Sequence, residues 1–108
     1  MNMAIPFVSI ELDKVYNLRF GMDAQVEFEQ LSGMACAEIE DNASMTTYAK
    51  VLWAMMRSEN ENITFKEVLQ LVDNHAPNSK YVYEKIGEAV RVSFESDAAK
   101  NELPPKVK

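Results

Sequence analysis

The chain has one cysteine, one histidine and three glycines in 108 residues. A lone Cys36 excludes an internal disulfide framework, and with His75 as the sole imidazole no Cys/His metal constellation can be assembled. Neither a metal nor a cofactor is expected. Cations are in deficit as well: 11 Lys and Arg stand against 17 Asp and Glu, a net charge of −6. Affinity for phosphate backbones needs clustered Lys and Arg, so nucleic acid is not an expected partner. Nowhere are there the roughly 18 consecutive apolar residues of a membrane span, so no membrane is expected either. The opening MNMAIPFVSIEL lacks the basic start and long apolar run of a secretory signal. The chain therefore reads as soluble and unsecreted, and the sequons at Asn42 and Asn62 carry no meaning.

Catalytic motifs are equally scarce. There is no Gly-rich dinucleotide fingerprint, P-loop, nucleophile elbow or paired-His motif. His75 lies two residues before Pro77 in a polar turn and reads as solvated rather than as a general base. Cys36 has no helix start or basic cluster beside it to lower a thiol pKa, and reads as a buried structural residue. The acidic run EIEDN, Glu38 to Asn42, lacks the alternating oxygen ligands and central Gly of a calcium loop, which favours a solvated face. No enzyme is expected.

What is present is one change of period. From Phe7 to Phe20, FVSIELDKVYNLRF, apolar residues alternate as in a half-buried strand pair. A two-residue loop at Asp13 and Lys14 would mix the two faces. A three-residue loop, Asp13 to Val15, pairs Leu12 with Tyr16, Ile10 with Leu18 and Val8 with Phe20, so that both apolar rows share one side. After Gly21 the period becomes helical. Asp23 can cap a helix over Ala24–Leu31 carrying Val26, Phe28 and Leu31, with Gly33 as its stop. MACAEIEDN then supplies one or two turns. Ser44 caps a helix from Met45 to about Arg57, with Met45, Tyr48, Ala49, Leu52, Met55 and Met56 on one face and with Val51 and Trp53 at its edges. TFKE, Thr64 to Glu67, has the form of a capping box and opens a third helix whose apolar face is Phe65, Val68, Leu69 and Val72. NHAPNS ends it. Ser79 can cap the last helix, Lys80 to about Ser96, with a stripe of Val82, Ile86, Ala89, Val90 and Ser93. DAAKNELPPKVK, residues 97–108, is read as a mobile tail.

The predicted fold is thus α+β and mainly α: an N-terminal β-hairpin and about four helices in one small domain over residues 1–96. A chain of this size buries only about two thirds of its unfolded surface, so its core is modest. Trp53 and Met56 sit at the edge of one apolar face, and Tyr81, Tyr83, Val92 and Phe94 lie outside the stripe of the last helix. These six are the candidate partner-binding residues, because exposed aromatic and Met side chains mark protein-binding surfaces. The Met-rich face reads most simply as core, where adaptable Met side chains fill irregular space; soft Met surfaces also recur where one protein holds varied helical partners.

A hairpin ending in YNLRFG, a helix with FEQLSG, a helix containing VLWAMMR, then ITFKEV and a final amphipathic helix resemble the tail assembly chaperones of long-tailed bacteriophages and prophages. The resemblance covers about residues 7 to 96 and is strongest in LWAMMRSENENITFKEV. It departs at Met55, where relatives often carry a small residue after Ala54. The resemblance implies a protein that coats the long helical tape measure protein before the tail tube polymerises around it, and that is absent from the mature virion. It also implies the tail tube protein as a further partner and the cytoplasm of the bacterial host as location. Self-association into a homo-oligomeric ring or coat is a separate expectation, as a way of presenting the six candidate residues to the tape measure protein. The alternatives kept open are an acidic phage-encoded inhibitor or regulatory protein and a structural tail-completion component.

Overall fold

A computed structural model describes residues 5–94. A two-stranded antiparallel hairpin, β1 (Val8–Glu11) and β2 (Val15–Leu18), is followed by α1 (Met22–Ser32), two short 3-10 turns (Cys36–Glu38 and Glu40–Asn42), α2 (Met45–Arg57), α3 (Phe65–His75) and α4 (Ser79–Phe94). This is the α+β, mainly helical single domain that the change of period implies. The mobile tail expected over residues 97–108 and the end of the last helix at Ser96 lie outside the described residues.

The hairpin keeps the expected sidedness with a different register. Val8, Ile10, Leu12, Leu18 and Phe20 are all buried, but Val8 pairs with Leu18, Ile10 with Tyr16 and Glu11 with Val15. The predicted pairs Leu12–Tyr16, Ile10–Leu18 and Val8–Phe20 are therefore wrong by two in summed position, a shift that preserves every facing because the side-chain period is two. The cause is a tighter turn. Leu12 N–H donates to the Lys14 carbonyl at 2.9 Å, and the Tyr16 hydroxyl donates to the Asp13 carboxylate at 2.7 Å. The loop is three residues long, as expected, but is centred on Asp13. Phe20 is thereby released from the ladder into the core.

α1 begins two residues earlier than expected. Gly21 occupies the N-cap position, and Asp23 lies in the first turn with its carboxylate accepting from Ala24 N–H at 2.8 Å. There its charge still opposes the helix dipole favourably. Gly33 ends the helix with φ +74°, the left-handed conformation that only glycine adopts without steric cost. Phe28 is buried and Leu31 half-buried, whereas Val26 is exposed.

α2 is the central element, touching α1, α3, α4 and β2. Its Ser44 hydroxyl accepts from Thr47 N–H at 3.1 Å, the cap expected from sequence. Being surrounded, it buries more than one face: Val51 and Ala54 are fully buried beside Leu52, Met55 and Met56, while Met45, at the open end, is exposed. α1 and α2 are further tied by an Arg57–Glu27 ion pair.

Both halves of the α3 capping box form. Thr64 Oγ1 accepts from Glu67 N–H (3.1 Å), and the Glu67 carboxylate accepts from Thr64 N–H (2.9 Å). Thr64→Ala is therefore expected to lower stability by about 0.5–2 kcal/mol, read from the urea midpoint, the usual range for a lost N-cap acceptor. An unchanged midpoint would contradict the role. On α4 the cap is Asn78 rather than Ser79, since Asn78 Oδ1 accepts from Tyr81 N–H at 2.8 Å and Ser79 is already helical. The stripe Val82, Ile86, Ala89, Val90 and Ser93 is buried throughout, as its spacing predicts. Gly87 adds a close approach. A Cβ at that position would lie 3.4 Å from the Tyr48 ring, so its absence lets α2 pack near α4.

Candidate partner-binding surface

The six candidate residues serve several internal contacts and do not form one patch. Trp53 is half-buried; its Nε1–H donates to the Ile63 carbonyl at 3.0 Å, and its ring lies 5.2 Å from that of Phe65. It thereby fastens the connector between α2 and α3. Met56 is buried. The Tyr81 hydroxyl accepts from Glu11 N–H at 2.9 Å, holding α4 against β1. Tyr83 stacks on Tyr48 with centroids 4.4 Å apart, and its hydroxyl donates to the Ala43 carbonyl at 3.0 Å. Val92 is half-buried, and Phe94, 37% exposed, meets Phe20 edge-on at 6.3 Å. A tyrosine or tryptophan that buries its ring usually finds a partner for its polar tip. Sequence spacing placed these side chains beside the core stripe, but it could not supply those tips with their partners.

A different apolar strip lies on α3. Of the apolar face Phe65, Val68, Leu69 and Val72 read from the spacing, only Val68 is fully buried, and Leu69 is exposed. Phe65 and Val72 are half-buried. The physical reason is that α3 packs chiefly on α2. At about 100° per residue, Phe65, Leu69 and Val72 share one side while Glu67, Gln70 and Asn74 share the opposite one. The latter three, with Leu71, line a cleft shared with Tyr16, Asn60 and Ile63. The Phe65–Leu69–Val72 strip thus faces away from the hairpin, with Trp53 beside its Phe65 end.

The ionisable groups show little that would suit chemistry. Burial, then the neighbouring Glu29 carboxylate, pushes the Cys36 thiol up to about 11, so it stays protonated at neutral pH. Burial, then the bond to Asp13, pushes the Tyr16 hydroxyl up to about 12, while the same bond holds the Asp13 carboxyl below its usual value. His75 is the last residue of α3 and is exposed. Among the described residues, no three His, Cys, Asp or Glu side chains are grouped to hold a metal ion. No helix among them is long and apolar enough to cross a membrane. No family model, curated protein or solved structure matches the chain.

Proposed function

We propose that the protein is a phage tail assembly chaperone that binds and shields helical segments of the tape measure protein, without catalysis, metal or cofactor. The observation that carries this reading is the partly covered apolar strip of α3, with Leu69 exposed between half-buried Phe65 and Val72 at helical spacing. Such a strip suits the apolar face of another amphipathic helix, whose own anchors recur at three- and four-residue intervals. The resemblance centred on LWAMMRSENENITFKEV falls on the elements that build it: Trp53 on α2, the connector, and the capped start of α3. An excess of carboxylates would keep many copies soluble along one tape measure and discourage adventitious binding to DNA.

Of the six residues chosen from sequence, Trp53 borders the strip directly, and Phe94 with the uncovered parts of Tyr81, Tyr83 and Val92 would offer secondary contacts. Met56 would act from beneath, by supporting α2. Trp53 and Tyr83 are poor first targets for substitution, since both hold the fold together. Leu69→Asp is the better test, because an exposed helical position tolerates a polar residue within about 0.5 kcal/mol. Co-expression of the full chain with the tape measure protein of the same phage should keep the latter soluble and co-purify it. The Leu69→Asp variant should retain the circular dichroism of the parent and lose most of that yield. A tape measure protein equally insoluble with and without the chain would refute the function, and an undiminished yield with Leu69→Asp would refute the site.

A further inference from the structure

The two edges of the hairpin differ in what covers them. Backbone N–H and C=O groups of a strand point alternately to either side. Leu12 N–H is directed across the hairpin to Lys14, and Glu11 N–H is directed out of it to the Tyr81 hydroxyl. Glu11–Val15 is therefore a non-hydrogen-bonded pair, as is Ser9–Asn17 two residues on. In such a pair both residues turn their backbone groups away from each other. Those of Glu11 and Ser9 point toward α4; those of Val15 and Asn17 point off the outer edge of β2. Among the described residues, no hydrogen bond reaches the four outward groups of Val15 and Asn17. Both residues line an open cleft of about 320 Å³ beside Met55, Met56 and Glu59.

We propose that this edge pairs antiparallel with the same edge of a second copy of the chain, about a two-fold axis. The proposal does not rest on the chaperone function. An uncovered edge is a template for another strand, and the geometry selects one register. Setting Val15 opposite Asn17 of the second copy satisfies all four outward groups on each chain at once, with Tyr16 facing Tyr16 at the axis. Shifting by two residues in summed position leaves one of the two outward residues of each chain without its match. In the selected register the exposed turn residue Asp13 comes near Arg19 of the second copy, just beyond each end of the paired strands, where Arg19 Nε also donates to the Ile5 carbonyl at 3.1 Å. The edge is thus self-complementary in hydrogen bonds and in charge, as an isologous interface requires. Val15, 58% exposed in the single chain, gains a cross-strand neighbour. Two marginal two-stranded ribbons become one four-stranded sheet.

Sedimentation equilibrium of the full chain over low to high micromolar concentration should show a rise from one to two chain masses. Asp13→Arg should weaken the dimer roughly tenfold, because it opposes like charges at both ends of the sheet. The double variant Asp13→Arg/Arg19→Asp, which restores opposite charges, should regain most of the loss. Under mild oxidation Tyr16→Cys should cross-link into dimers far faster than Lys14→Cys, since position 16 meets itself at the axis while the exposed position 14 does not. The native Cys36 is buried and does not compete. A single-chain mass throughout overturns the proposal, as do equal cross-linking at positions 14 and 16, or a dimer indifferent to the charge exchange. Protection of the Val15 and Asn17 amides only when tape measure protein is added would also overturn it, by assigning the edge to that partner.

Discussion

Phe20→Ala is expected to lower stability by about 3–5 kcal/mol, the range for removing a fully buried phenylalanine. Phe20 lies just beyond β2 and is completely inaccessible. Its ring meets Phe28 of α1 edge-on (6.2 Å, 78°) and Phe94 of α4 at a similar distance (6.3 Å, 61°). It therefore joins the hairpin, α1 and α4. Such edge-on pairs add about 0.5–1.5 kcal/mol beyond the area they bury. Against a total stability of about 5–15 kcal/mol for a domain of this kind, the loss is large enough to unfold a visible fraction on mild warming. Urea and thermal melts would measure it. Phe94→Ala provides the contrast: that ring is already partly solvated, so its removal should cost clearly less. Equal costs would show that Phe20 is not the junction.

Ile39→Ala is expected to cost about 2–5 kcal/mol, although it lies in the least regular part of the chain. Ile39 falls between the two 3-10 turns and is fully buried within the main apolar cluster. Its neighbours Glu38, Glu40 and Asp41 are exposed, so it is the side chain that pins the acidic segment to the domain. Substituting Asp41 instead should change stability by no more than about 0.5 kcal/mol. If Ile39→Ala behaves like that surface control in a denaturant melt, the segment is not anchored through Ile39.

These two residues mark where sequence and structure part. Phe20 belonged to an alternating row, and alternation predicted its burial correctly because any register of even offset buries the same side chains. It could not reveal that Leu12 would enter the turn and free Phe20 from pairing. Ile39 gave no periodic signal, being one apolar residue among acids in turns too short to show a repeat. The helices were clearer where a local rule acts alone: Ser44 caps α2, Thr64 and Glu67 cap α3, and Gly33 ends α1, as their residue types require. Burial around α2 was harder, since Val51 and Ala54 are covered by neighbours that only the tertiary arrangement supplies. On α3 the spacing was silent about coverage. Spacing identifies an apolar face but not whether anything covers it, and Leu69 is left outside. The candidate site followed the same logic: the side chains lying off the core stripes were found, while the contacts that engage Tyr81 with β1 and Tyr83 with Tyr48 join positions 35 to 70 residues apart in the chain.

The proposed role rests on α3 as the surface that takes a helical partner. Helix-in-groove binding to a preformed strip should slow backbone hydrogen exchange in the helix that carries it, because opening that helix then requires releasing the partner. The most direct test is hydrogen exchange followed by mass spectrometry on the full chain, free and in complex with the tape measure protein. The expected result is slower exchange across Phe65–His75 and around Trp53, with α1 unchanged. Unchanged exchange across α3 in a saturated complex would contradict the account.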